Sequence, residues 1–348
     1  MQLFRRIDFL GCFLLAGWVG AALIAVSLKT NSTASDGYDW SDPIIIALFA
    51  TSGVLLVVFL LVELKWAAEP VMPFELLNRR TAVSVAINNF SISMAQFALV
   101  SSDLYWIWLT IQIYTIPLFF TVVRQMSSSQ AGAHLIPNSI AGMVGSLGCG
   151  FVVRHTKKYY WLNFWSGFFG VVGAILIATW NRNSSEWMLW TNLSFTSFAM
   201  GSVTTLTIVA LIADVGHEHV AIATSLSYVF RTIGQVLGVA LSGALAQAIL
   251  QKELSARISG PDADETIAAI RESSASIRYL PEPLKSIAIA SYQKALHAVF
   301  LCAVILSVVY LLAGLGIREI DMHKAMIKPT NGEQEEEEDI VGEVSETP

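Results

Sequence analysis

The chain has 348 residues, 54% of them hydrophobic and only 14% charged, with a mean hydropathy of +0.59 and a formal net charge of −6. A water-soluble domain carries roughly a quarter charged residues, so this composition excludes an ordinary soluble enzyme. The sequence has no basic patch suited to nucleic acid, and much of the negative charge sits in one acidic run, Glu335 to Asp339.

Charges gather in short blocks, and between them run apolar stretches of about twenty residues, the length that crosses a ~30 Å hydrocarbon core as helix. In chain order the stretches are 8–28, 43–64, 81–123, 130–152, 161–180, 188–213, 220–250 and 295–317, each expected as α-helix. The first follows Arg5 and Arg6, as a signal peptide would. Its apolar run of about twenty residues exceeds the core of such a peptide, however, and Asp8 opens it, so a retained helix is expected. Many of the 10 Trp and 9 Tyr lie near the ends of the stretches, as in the aromatic belts of a bilayer. Residues 251–294 contain Pro261, Pro281 and Pro283 among mixed charges and read as one long connection, with short amphipathic helices at the surface. The tail from Arg318 reads as disordered and solvated.

Lysine and arginine set the orientation. With the N-terminus in the cytoplasm, the cytoplasmic segments hold Arg5, Arg6, Lys65, Arg79, Arg80, Arg154, Lys157, Lys158, Arg318, Lys324 and Lys328. The short segments on the other side hold only Lys29, Arg124 and Arg182, a clear positive-inside bias. The sequons at Asn31 and Asn183 then face away from the cytoplasm, where glycosylation occurs, whereas those at Asn89 and Asn192 lie within spans and are unusable.

The stretch 81–123 is too long for one crossing: as helix it measures ~65 Å, about twice the hydrocarbon thickness. Splitting it near Asp103 puts an odd number of spans between two basic loops that both belong in the cytoplasm, so charge parity favours a single span. Residues 101–114, "SSDLYWIWLTIQIY", interrupt it. Val100-Ser101 can be coded with a GTGAGT donor, Leu109-Thr110 with a CTAAC branch site and Gln112 with a terminal CAG, so the expectation is a retained intron. If the segment is real, the helix bends or leaves the membrane, and Asp103 lies near a surface.

Chemistry-bearing residues are sparse. Cys12, Cys149 and Cys302 each sit inside an apolar stretch and read as packing residues. His217 and His219 flank Glu218 at a helix junction, without a metal-ligand spacing, and no metal site is expected. There is no Ser/His/Asp arrangement, phosphate loop or helical His-Glu-x-x-His, so no enzyme is expected. Asp and Glu are confined to loops, tails and helix ends, Asp103 apart, which leaves no midplane acid to carry a proton.

Arg231 is the sharpest intramembrane feature. Its helix starts near Val220, which at ~1.5 Å per residue puts Arg231 ~16 Å deep, near the bilayer midplane. A lone charge there costs at least ~2.5–3.5 kcal/mol, so it should face the bundle interior or a wet cavity. Gln235, one turn on, shares its face. Two roles are open for Arg231, a residue of a transport path or a structural one bonding carbonyls of a neighbouring helix. Asn88, Asn89, Gln96, Asn138 and Asn192 present the same choice between cavity lining and interhelical hydrogen bonds. Gly142, Gly145 and Gly148, and the Gly234-x-x-x-Gly238 step, read as sites of close helix approach.

Several segments carry a resemblance. "RIDFLG" and "EPVMPFELLNRR" look like the extra helix pair and following loop of fourteen-helix major facilitator transporters. "YTIPLFFTVVRQMSSSQAGAHLIPNSIAGMVGSLGCGFVVRHTKKYYWLN" is similar to the seventh and eighth core helices of fungal members of that group. "SYVFRTIGQVLGVALSGALAQAIL" and "SYQKALHAVF" resemble its last two. The likeness is to vacuolar basic amino acid and multidrug carriers, the drug:proton antiporter type. It implies an all-α integral membrane fold of about eight transmembrane helices: two linker helices and a cytoplasmic loop over 1–80, a C-terminal six-helix bundle over 81–317 with 251–294 extracytoplasmic, and a cytoplasmic tail over 318–348. It also implies a loop motif at Gly150, Arg154, Lys157 and Lys158, with Lys157 standing where many relatives have glycine.

By resemblance the function is export or sequestration of small molecules, basic amino acids or drugs, by alternating access at the vacuolar or plasma membrane. The implied partners are the lipid bilayer and the small-molecule substrate, with no cofactor. The family's first six-helix bundle, with its antiporter glycine–proline motif and proton-linked acids, is not among these residues, so proton coupling and transport are expected to depend on it. The alternatives are a non-transporting half-carrier with a regulatory role, a membrane anchor with an acidic tail, or a truncated gene model.

Overall fold

The computed structural model describes residues 9–31, 41–65, 79–99, 115–215, 220–260, 262–272, 277 and 280–319. Among them the chain forms α1 (Phe9–Asn31), α2 (Pro43–Lys65), α3 (Arg80–Leu99), α4 (Thr115–Leu118) running into a π-turn (Phe119–Val123), α5 (Ser128–Ala133) and α6 (Ile136–Thr156). There follow α7 (Tyr160–Ala178), α8 (Glu186–Val215), α9 (Val220–Ser255), α10 (Ala263–Glu272) and α11 (Leu284–Gly314). Among the described residues, 8 helical segments are long and apolar enough to cross a membrane, with α5 and α6 together making one of them.

Two apolar clusters mark the two ends of the bundle. One gathers Ala82 and Val85 from the start of α3, Val153 from the end of α6, Val215 from the end of α8, Ala223 from the start of α9, and Ile317 beyond α11. The other gathers Leu99 from the end of α3, Phe119 and Phe120 of the π-turn, Ile177 of α7, Leu189 of α8, Leu254 of α9 and Tyr292 of α11. From α3 onward successive long helices therefore run in alternating directions, and Arg79, Arg80, Arg154, Lys157, Lys158 and Arg318, all assigned to the cytoplasm by the positive-inside count, lie at the first end. Leu99 and Ile116, on either side of residues 100–114, share the second cluster, so α3 with the α4 turn makes one crossing. Residues 100–114 themselves, with Asp103 and the expected intron, lie outside the described residues, as do His217 and His219.

Of the third stretch, Arg80–Leu99 forms a helix and 115–123 a short helix with its π-turn. Two boundaries differ markedly from the sequence expectation. Helix α9 continues past 250 to Ser255, and α11 begins at Leu284, well before 295. Hydropathy stops counting a helix where Lys252, Glu253 and Lys294 enter, but the backbone continues beyond the hydrocarbon with those side chains in water. The connection between them is not merely a surface loop. Ile267 and Ile270 of α10, with Ile258 and Ile277, are buried in the second cluster, and the Tyr292 hydroxyl donates to the Ile270 carbonyl at 3.0 Å. Burial also lowers the pKa of the Arg271 guanidinium on α10, whose Nε donates to Gln247 Oε1 at 3.4 Å.

Glycines set the closest helix crossings. A Cβ at Gly234 or Gly238 of α9 would collide with the carbonyl oxygens of Phe90 and Met94 on α3. Gly145 of α6 meets the Phe198 carbonyl of α8 in the same way, but Gly148 has nothing within 4 Å of its would-be Cβ. The three-residue repeat is therefore not one packing stripe, because Gly148 points off the α8 face. At the end of α6, Lys157 adopts φ 57°, the left-handed conformation that favours glycine. Its N–H closes the helix on the Val153 carbonyl at 2.8 Å.

Candidate functional site

Helix α3 is lined by small and amide side chains, and most of it is buried. In hydrocarbon no water satisfies such groups, so they find one another across helices. Asn89 donates from Nδ2 to Ser227 Oγ of α9 at 2.9 Å and accepts from Thr207 Oγ1 of α8 at 3.2 Å. Gln96 donates to Ser197 Oγ of α8 at 3.1 Å, and that hydroxyl donates in turn to Asn138 Oδ1 of α6. Asn88 donates to the Tyr310 carbonyl of α11 at 2.8 Å, and the Tyr310 hydroxyl donates to the Gly167 carbonyl of α7 at 3.3 Å. One seam of uncharged groups thus ties α3, directly or through one intermediate, to every other long helix of the 81–317 bundle.

The seam is not fully satisfied. Among the described residues, Asn88 Oδ1 within it and Ser93 Oγ and Ser202 Oγ nearby are buried without a hydrogen-bond partner. Each costs roughly 1–3 kcal/mol if it stays dry. A void of about 10 Å³ beside Gln96, Thr196, Ser307 and Tyr310 has about the room that one water needs.

Of the residues singled out in the sequence, Asn88, Asn89, Gln96 and Asn138 are brought together by this seam. Asn192 is buried outside it, accepting only from its neighbour Thr191 at 3.5 Å. Arg231 is half-buried on the flank of α9, one turn from Ser227, with its guanidinium carbon 4.2 Å from the centre of the Tyr228 ring. Among the described residues it has no ion pair and no hydrogen bond. The ring quadrupole of Tyr228 holds the guanidinium there. Gln235 is half-buried beside it. Ser197, Thr207, Ser227 and Tyr310 escaped the sequence reading, since single hydroxyls in apolar stretches carry no signal until their partners are known. So did Glu63, buried near the end of α2.

At the second end, Glu186 opens α8 and accepts from Arg124, which follows the π-turn, and from His134 Nε2 at 3.2 Å. The other His134 nitrogen faces the Gln130 carbonyl at 2.8 Å. Both ring nitrogens thus face acceptor oxygens. His134 also packs against the Trp190 ring at 4.3 Å. The block "HLIPNS" therefore has three jobs: His134 ties two helices, Pro137 opens α6, and Asn138 enters the seam.

At the first end, Arg79 donates to the Asp214 carbonyl at 2.8 Å and caps α8, while the Tyr159 hydroxyl donates to the Arg318 carbonyl at 2.7 Å. Arg154 and Lys158 are exposed here, with Lys157 half-buried between them. Gly150 makes only ordinary contact, its would-be Cβ 3.9 Å from Thr205 Cγ2. Asn183 is exposed in the turn between α7 and α8, at the opposite end, and the Asn31 side chain lies outside the described residues.

The apolar exteriors, the eight spans and the neutral interior seam define an all-α, multi-pass integral membrane protein. Its relatives are fungal transporters. The chain is 31% identical over 330 residues to "Multidrug resistance protein fnx1" of Schizosaccharomyces pombe, a match covering 93% of this chain and 59% of that protein. It is 26% identical over 310 residues to "Vacuolar basic amino acid transporter 2" of Saccharomyces cerevisiae, covering 88% of this chain and 62% of the relative. With "MFS-type efflux transporter pyiT" of Pyricularia grisea it shares 25% identity over 341 residues, covering 97% and 52%. The chain thus spans between about half and three fifths of the length of these relatives. No family model matches it.

Proposed function

We propose that this chain is the linker pair and C-terminal bundle of a major facilitator carrier. Working against a first six-helix bundle, it moves small organic molecules, basic amino acids ahead of drugs, across the vacuolar or plasma membrane. The end that gathers Arg79, Arg80, Arg154, Lys157, Lys158 and Arg318 faces the cytoplasm on this reading, by the positive-inside rule, and Asn183 and Asn31 face the glycosylating side. Cysteine accessibility labelling at Lys158 and Arg182 tests the orientation: reaction at 158 from the extracytoplasmic side overturns it.

The observation that supports transport is Arg231, a cation about a third of the way along the membrane-spanning helix α9, half-buried one turn from the seam residue Ser227 and, among the described residues, without a carboxylate. The acids on the described spans, Glu63, Glu186, Asp214 and Glu253, all lie near helix ends. The described spans therefore offer a cationic substrate no interior counter-charge, but they offer a substrate carboxylate one. An amino acid fits that division: its carboxylate goes to Arg231, and its basic side chain and any coupled proton go to acids of the first bundle. In a complete carrier, Arg231→Ala should reduce uptake of labelled arginine at least tenfold with unchanged membrane abundance, and Arg231→Lys should retain part of it. Unaltered uptake in the alanine variant overturns the assignment.

A further inference from the structure

A cleft of about 690 Å³ opens where α7 ends and the upper parts of α9 and α11 run past it. None of the seam residues lines it, and neither does Arg231. Its rim is polar. Glu253 accepts from Arg257 Nη2 at 2.8 Å and from Lys294 Nζ at 3.0 Å, which holds the two cations side by side. Each keeps further N–H donors beyond that carboxylate. His297 is a third basic group at the rim. With two full positive charges around one carboxylate, the rim carries a net positive charge.

The floor is apolar. Ile249, Ala298 and Leu301 line it, and Leu301, Ile305, Val308 and Leu312 are exposed by 48%, 63%, 40% and 60%. Their spacing of four, three and four residues puts them on one face of α11, and this stripe leads from the cleft toward the other end of the bundle. At ~1.5 Å per residue it is ~16 Å long, about half the ~30 Å hydrocarbon thickness and so about one leaflet deep. Lys294 and His297 sit where the charged part of α11 gives way to its chargeless, mainly apolar run, the level of a membrane surface.

We propose that this cleft binds a membrane phospholipid with an anionic phosphate headgroup, the phosphate between Arg257 and Lys294 and an acyl chain along the Leu301–Leu312 stripe. A soluble phosphate would use the rim and leave the stripe unused. A neutral lipid would use the stripe and leave the two cations without a counterion beyond Glu253. The site is independent of transport, since it shares no side chain with the seam.

The test is lipid retention by the purified full chain in detergent, measured by native mass spectrometry during titration with phosphatidic acid, phosphatidylcholine and glycerol 3-phosphate. Phosphatidic acid should be retained at least tenfold better than phosphatidylcholine. Replacing both cations, Arg257→Gln with Lys294→Gln, should weaken it about thirtyfold, and the charge-preserving pair Arg257→Lys with Lys294→Arg should restore it. Equal retention of the two lipids, or no change in the double glutamine variant, overturns the site. Glycerol 3-phosphate binding as tightly as phosphatidic acid makes it a soluble-anion site and overturns the lipid assignment. If the glutamine variant does not elute as a single species, high salt on the unaltered protein replaces it: the preference for phosphatidic acid should disappear, and its persistence counts against the proposal.

Discussion

Helix α3 and the α1–α2 hairpin are of similar length, and both qualify as membrane spans, yet they are built on opposite logic. In α3, 67% of the spanning window is buried in protein; in α1 and α2 the figures are 11% and 17%. The buried helix is the polar one, with Asn88, Asn89, Ser91, Ser93 and Gln96 along it, while α2 is almost uninterrupted Ile, Leu, Val, Phe and Ala. In water the order would be reversed. In a bilayer the solvent is hydrocarbon, so apolar residues gain nothing by turning inward and polar groups must find one another. The content of polar residues therefore reports how central a span is, and the hairpin reads as a lipid-facing pair that touches the bundle mainly through α1 on α9.

The harshest test of that contrast is steric. Gly234→Leu should destabilise the bundle by about 3 kcal/mol, because the new side chain lands on the Phe90 carbonyl. Gly20→Leu and Gly53→Leu in the hairpin, with nothing within 4 Å of either would-be Cβ, should stay within about 0.5 kcal/mol. Thermal unfolding in detergent, followed by tryptophan fluorescence, measures all three, and an intolerant Gly20 or Gly53 would show that the hairpin is packed after all.

Next comes the seam. Asn89→Ala removes two interhelical bonds, takes the Asn89 donor from Ser227 and leaves Thr207 only its own-helix bond to the Thr204 carbonyl at 3.0 Å, and should cost about 1–2 kcal/mol by the same assay. Ser52→Ala on α2 removes a single bond, to the Trp18 carbonyl at 2.8 Å, and should cost only about 0.6 kcal/mol. Equal losses would erase the distinction between core and periphery.

Charges at the bundle ends should matter least. Glu186→Gln breaks the pairing with Arg124 and His134, but more than half of its side chain is exposed, so the expected loss is at most about 1 kcal/mol and should shrink further in high salt. Lys157→Gly should do the reverse, raising stability by about 0.5 kcal/mol as left-handed strain is relieved at φ 57°. A melting temperature that falls in Lys157→Gly would mean that the lysine side chain contributes more than its backbone costs.

Much of this was legible in the residues. Span number, span position and alternation needed only the run length of apolar residues and the placement of lysine and arginine, because hydrocarbon thickness and leaflet charge act on each segment independently of the others. The Gly234-x-x-x-Gly238 crossing was legible for a similar reason: a backbone can approach only where side chains are absent. Boundaries such as Ser255 and Leu284 were not, since a helix that leaves the membrane keeps its hydrogen bonds while its hydropathy vanishes.

By itself the sequence determined that this is a bundle of membrane helices and which loops share an end, because each of these follows from one-dimensional transfer energies and a fixed rise per residue. Which amide meets which hydroxyl, that the Arg231 guanidinium lies over the Tyr228 ring, and that α10 folds back under its own isoleucines were decided only by the tertiary structure. Those outcomes depend on the rotation of each helix about its axis and on partners far along the chain, such as the Tyr310 carbonyl for Asn88, and no local pattern encodes either.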